Sequence, residues 1–292
     1  MRRRRAFVLA ALVALATLGS APRHARAGAW SPEAGHGYLK LWSRYFFGYD
    51  YIDSRGNSQP LRRYHELSLA TYGEYGLGRG FALVWQTDLV HLYTLVDPRD
   101  DKRQAHVAPG DPMLGLRYAF FHSGRLSMAT QFGVRAPLAS DSVQQEVYGS
   151  SAGNPRLGEL RVGAGVWDIG GELSVGYGFD HGYLQAGFGY LARTGGFDDV
   201  LEFALEGGAD VNARLSLRAR LLGRLPIDTG DAPAHTSPSG VGNGTRYLAW
   251  VLEWERRVGE SWSLGGTLEG GAGLVRRQAG GPVFTLYVAR RL

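Results

Sequence analysis

The stretch Leu201–Leu225, LEFALEGGADVNARLSLRARLLGRL, decides the fold of this chain. Leu201, Phe203, Leu205, Gly207 and Ala209 alternate with Glu202, Ala204, Glu206, Gly208 and Asp210, a period of two that reads as a β-strand. After a short turn around Val211 and Asn212 the alternation resumes. Leu215, Leu217, Ala219, Leu221 and Leu225 share one face, and Ser216, Arg218, Arg220, Leu222 and Arg224 share the other. Two adjacent strands therefore each carry one apolar and one charged face. A soluble sandwich would press the apolar faces against a second sheet, whereas a membrane barrel would turn them to lipid and the charged faces to a wet interior.

The spacing of the connections separates these two. Working outward, alternation recurs at His36 to Gly48, Arg63 to Leu77, from Phe81, at Gly110 to Phe121, Leu126 to Pro137, Glu159 to Phe179, Tyr183 to Arg193, Arg246 to Val258, Trp262 to Val275 and in the segment ending at Leu292. In Glu159 to Phe179 the apolar phase switches between Val166 and Ile169, which reads as a β-bulge near Trp167 and Asp168. Short connections at 78–80, 122–125, 180–182, 211–213 and 259–261 alternate with longer ones at 49–60, 96–109, 138–158, 194–199, 227–245 and 276–281. Short turns on one side and long loops on the other are expected of an outer-membrane barrel, and a sandwich has no reason to show them. The expected fold is thus all-β: a transmembrane antiparallel up-and-down barrel of about 12 strands, with both termini on the short-turn side. Trp42, Tyr45, Trp85, Tyr93, Tyr118, Trp254 and Trp262 lie near strand ends and suit interfacial girdles.

Residues 1–27 read as a cleaved secretory signal peptide, leaving 28–292 as the barrel domain. Arg2 to Arg5 form a basic n-region, Ala6 to Leu18 an apolar core, and Ala25-Arg26-Ala27 an A-x-A cleavage site. Of the 32 basic residues, six precede Gly28, so 26 remain against 27 acidic ones, and the basic character of the whole chain does not point to nucleic acid. The absence of Cys excludes a disulfide framework and a thiolate nucleophile.

At Gly110-Asp111-Pro112-Met113-Leu114-Gly115-Leu116-Arg117-Tyr118 the chain resembles a recurrent strand of the outer-membrane family named for the MetA pathway of phenol degradation. Tyr72-Gly73-Glu74-Tyr75-Gly76-Leu77 and the strand ending in Ala136-Pro137 are similar to its neighbouring hairpin, although Leu138-Ala139 replaces the family's Pro-x-Gly. The resemblance implies a barrel and uptake of hydrophobic or aromatic compounds.

The inner rows supply the candidate lumen residues: Lys40, Arg44, Glu66, Glu74, Asp88, Arg117, Arg135, Glu202, Glu206, Arg218, Arg220, Arg224, Glu253 and Glu255. Acidic Glu202, Glu206 and Asp210, basic Arg218, Arg220 and Arg224, and Glu253, Glu255 and Arg257 should sit as neighbours across three strands. They would form either a structural ladder or a transverse field acting on passing solutes. Inward Trp42, Phe46 and Tyr72 would narrow the passage. The first expectation is a porin-like channel for small solutes. The second is a non-conducting barrel that anchors an envelope complex for secretion or surface motility. The third is a lipid-modifying enzyme using His91 on the lipid-facing row of its strand. No catalytic constellation accompanies His91, so the chain is expected not to be an enzyme. The scattered histidines lack metal-ligand spacing, so neither metal nor cofactor is expected. Expected partners are outer-membrane lipid and lipopolysaccharide, the barrel-assembly machinery during insertion, and components of an envelope complex.

Overall fold

A strand apolar on one face and charged on the other is satisfied only when its two faces meet different media and both its edges are hydrogen-bonded. The computed structural model describes residues 28–53, 55–96, 103–139, 145–146, 159–160, 163–230, 240–276 and 278–292, and there the chain meets this condition by closing one antiparallel sheet on itself. The expected signal peptide and most of the 138–158 loop lie outside the described residues. The wall comprises 12 strands: β1 Gly37–Ile52, β2 Ser58–Gly78, β3 Phe81–Val96, β4 Met113–Ser123, β5 Leu126–Arg135, β6 Asp168–Phe179, β7 Gly182–Arg193, β8 Asp199–Asn212, β9 Leu215–Ile227, β10 Tyr247–Val258, β11 Trp262–Gly271 and β12 Val283–Arg291. Each pairs with its neighbour in the chain, and β12 returns to β1 with Leu41 opposite Val288 and Tyr45 opposite Phe284. No edge is left in the wall.

The outer face is a continuous apolar belt. Leu205, Leu217, Leu252, Leu264 and Leu286 are each exposed by 45% or more. Inner positions one residue away are covered, with Glu253 only 5% and Arg117 5% exposed. A soluble protein does not leave such a belt uncovered, whereas hydrocarbon is its natural solvent. Tyr45, Tyr118, Trp254 and Trp262 are exposed on this outer face. Tyr93, expected in the same girdles, faces inward instead and is fully buried, while Trp42 lines the interior, as its place on the inward row of its strand implied.

A β-bulge causes part of that difference. Val90 pairs with Leu69 while Asp88 pairs with Ala70, so Leu89 is an extra residue and the alternation of β3 inverts beyond it. Asp88, His91 and Tyr93 consequently all point inward. His91, expected on the lipid-facing row, is buried between Asp88 and Glu66 at 3.0 Å and 3.4 Å, so the geometry that suggested a lipid-facing base is absent. The bulge expected near Trp167 is also corrected. Residues 163–167 leave the sheet altogether, and β6 begins at Asp168. Glu159–Leu160 pairs separately with Gln145–Glu146.

Two further segments extend the wall on the long-loop side, Arg103–Ala108 along β3 and Gln278–Gly280 along β1. Between them packs an apolar cluster of Phe46, Tyr51, Leu61, Tyr64, Tyr93, Ala139, Ala279 and Val283. The Gly110-Asp111 pair explains its own sequence here. Gly110 donates its N–H to the Asp88 carbonyl at 2.8 Å, and a Cβ at Gly110 would lie 2.4 Å from that of Asp88. The Asp111 carboxylate accepts the Ala139 and Ala164 amides at 2.8 Å and 3.2 Å, tying two long loops together, and burial pushes its carboxyl above the usual range.

Leu252 lies in the middle of β10 on the belt. Leu252→Arg should cost about 2–4 kcal/mol, the penalty of a guanidinium facing mid-membrane hydrocarbon. Reversible denaturant unfolding of the lipid-inserted barrel would measure it; a neutral result would mean that this face does not meet lipid.

Candidate functional site

The alternation that builds the belt leaves the opposite rows pointing into the lumen, where charged side chains must find partners because they are withdrawn from bulk water. Glu253 on β10 is the hub. Its carboxylate receives Arg218 at 3.0 Å and Arg220 at 2.5 Å from β9, the Tyr287 hydroxyl at 2.7 Å from β12, and Lys40 at 3.1 Å from β1. Lys40 reaches it with its Nζ 3.6 Å above the Tyr287 ring centroid, a cation–π contact that supports the long side chain across two intervening strands. Arg218 also donates to Glu255 at 2.8 Å, and Glu255 accepts from Ser263 at 2.7 Å. Glu206 completes the group, 3.6 Å from Arg220 and hydrogen-bonded by the Tyr183 hydroxyl. Three cations and three carboxylates thus neutralise one another along one wall.

The remaining candidates fall into smaller sets. Arg117 donates to Glu74 at 2.6 Å and to Gln131 at 3.1 Å, bridging β2, β4 and β5. Arg44 and Glu66 pair at 3.2 Å, and Asp88 belongs to the His91 cluster beneath the bulge. Arg135 meets Asp168 at 3.2 Å, and Arg224 meets Glu202 at 3.2 Å. Lys40, Arg44, Glu74, Arg117, Arg135, Glu202, Glu206, Arg218, Arg220, Glu253 and Glu255 line one cavity of about 690 Å³. Glu66, Asp88 and Arg224 are not among its lining residues.

Several lumen groups escaped the sequence reading. Tyr287 sits one residue off the outward row of the last strand, so the alternation itself would have found it. Asp168 was hidden by the assumed bulge; it is 3% exposed and held by Arg193 at 2.9 Å as well as by Arg135. Residues 28–36 precede the first strand and carry no periodic signal, yet the stretch around Ala29 and Trp30 folds into the lumen at its short-turn end. Ala29 is fully buried, its carbonyl accepting the Ser127 hydroxyl at 2.7 Å and its N–H donating to the Gln185 side chain at 3.3 Å. Arg117 donates to the Trp30 carbonyl at 3.5 Å, and the Trp30 ring meets Tyr183 edge-on with centroids 5.9 Å apart. Gly176 makes room for that indole, since a Cβ there would lie 2.3 Å from it. At the other end Asp198 and Asp199 are committed to the protein, Asp198 accepting the Gly230 amide at 3.3 Å and Asp199 the Arg193 amide at 2.9 Å.

Glu253→Gln would leave Lys40, Arg218 and Arg220 facing only two carboxylates in a covered wall. A loss of about 3–5 kcal/mol is expected, the usual cost of breaking a buried ionic network from one side. Denaturant unfolding in lipid or detergent measures it, and an unchanged midpoint would show that the hub does not support the wall.

No family model matches the chain, and none of the curated proteins matches it in sequence. Among solved structures it is similar to the COG4313 outer membrane channel from Pseudomonas putida F1, at 11% identity and a TM-score of 0.63 over 92% of this chain and 100% of that one. It is also similar to a KdgM porin, at 7% identity and a TM-score of 0.50 over 87% of this chain and 98% of that one. These are likenesses of fold. Together with the closed sheet and the apolar belt, they give this protein the fold of an outer-membrane β-barrel.

Proposed function

We propose that the protein is a channel through which small solutes cross the outer membrane. One observation carries this reading: the 690 Å³ cavity is lined from Asp210, Ser216 and Arg257, beside the short turns, to Arg135 and Asp168, beside the long loops. Most of the charged side chains in its walls are already paired with one another, so a small solute can pass without stripping a buried charge of its partner. The width is limited by Trp42, Tyr72 and Tyr183 and by the stretch from Gly28 to Trp30, which excludes large solutes. The narrower part of the proposal concerns the class of solute. Tyr38, Trp42, Tyr72 and Tyr183 all border the cavity and give a planar guest aromatic neighbours, which supports passage of small aromatic compounds. The resemblance at Gly110 to Tyr118 supports the same class and membership of the family named for the MetA pathway. Export behind a signal peptide at residues 1–27, insertion by the barrel-assembly machinery, and a surrounding layer of lipid and lipopolysaccharide belong to this reading.

Liposomes carrying the purified barrel should swell in small solutes and conduct ions in planar bilayers. A correctly folded barrel that does neither would remove the proposal. Trp30→Ala deletes the ring that fills the space beside Gly176 and Tyr183, so single-channel conductance should rise; an unchanged or lower conductance would show that Trp30 does not restrict the path.

A further inference from the structure

We infer that Glu172 sets the ion selectivity of the lumen, favouring small cations and ammonium-bearing solutes over anions. The inference rests on the channel reading and adds a specificity-determining residue to it. It follows from an accounting of charges along the cavity. In the bodies of the strands the other lining carboxylates, from Glu74 to Glu269, each lie 3.8 Å or less from an arginine or lysine. In the bodies of the strands the lining cations Lys40, Arg44, Arg117, Arg135, Arg218 and Arg220 each belong to one of those pairs. Glu172 differs. It is exposed, it borders the cavity, and its carboxylate accepts the Ser174 hydroxyl at 2.5 Å, with no cationic partner among the described residues. Arg257, Arg291 and Asp210 lie together at the short-turn rim, beyond the level of Glu172.

Position makes that single charge effective. Glu172 is in the middle stretch of the wall, opposite Gln131 on β5 and Gly189 on β7. Its carboxylate lies against the backbone of β7 because Gly187 has no side chain; a Cβ there would be 2.9 Å from Oε1. The inner positions around it, Gly133, Gly170 and Gly189, line the cavity without side chains, while the facing wall is filled by the Glu253 group. The open path therefore runs along β5 to β7, past Glu172. An uncompensated carboxylate beside a narrow path with low-dielectric walls raises the local concentration of cations and repels anions, as acidic rings do in cation channels.

The test is the reversal potential of the full-length, lipid-inserted barrel under asymmetric KCl. The wild type should be cation-selective. Glu172→Gln should lower the ratio of potassium to chloride permeability several-fold, and Glu172→Lys should invert it. Ser174→Ala removes the hydrogen bond but keeps the charge and should preserve cation preference, with folding checked by heat-modifiable migration. A conducting wild type without cation preference, or a Glu172→Gln barrel with an unchanged reversal potential, would overturn the inference and leave the channel reading standing. A folded wild type that passes no ions would overturn both.

Discussion

Closure of the sheet is the constraint on which everything else in this molecule depends. In hydrocarbon an unpaired backbone N–H or C=O has no water to turn to and costs several kcal/mol, so a sheet that crosses a membrane has to use both edges of every strand. The pairing of β12 with β1 removes the last edge. Once the sheet is a closed cylinder, the two-residue period of each strand sorts its side chains into lipid and lumen without further instruction. The five short turns then bring neighbouring strands together, and the long loops collect at the other end.

The lumen obeys a different balance. Moving charges out of bulk water is costly, and the molecule offsets this by making most of the lumen's cations, such as Lys40, Arg117, Arg218 and Arg220, partners of carboxylates on other strands. Glu253 illustrates the arrangement: its four partners come from β9, β12 and β1, so one carboxylate braces a substantial arc of the wall. Such bracing stiffens the barrel and also cancels the field that the same residues would otherwise project into the path. A pore lined with many charges can therefore be weakly selective over most of its length, with selectivity left to whatever charge is uncompensated.

How much of this could be read beforehand varies with the range of the interaction. The faces of Leu201 to Leu225 were legible because alternation is local, and the same logic put Arg218, Arg220, Glu253 and Glu255 inside. Where a single extra residue intervenes, local logic inverts. Leu89 adds one residue to β3, and from there His91 and Tyr93 turn from lipid to lumen. Nothing in the composition around Leu89 announces this. At Trp167 the opposite error arose, since a change of phase can mean a bulge or simply the absence of sheet, and residues 163–167 are the latter.

The amino-acid sequence by itself determined the strands, their count, the greasy and charged rows and the side on which the long connections lie, because each of these depends only on near neighbours along the chain. Which charge meets which was decided by the tertiary structure. Lys40 and Glu253 are 213 residues apart and become partners only because curvature brings β1 within a lysine's reach of β10. Folding likewise decided that the non-periodic stretch around Trp30 would enter the cylinder and that Glu172 would have no cation beside it among the described residues. These depend on the shape of the enclosed space, and that shape exists only once the first and last strands have joined.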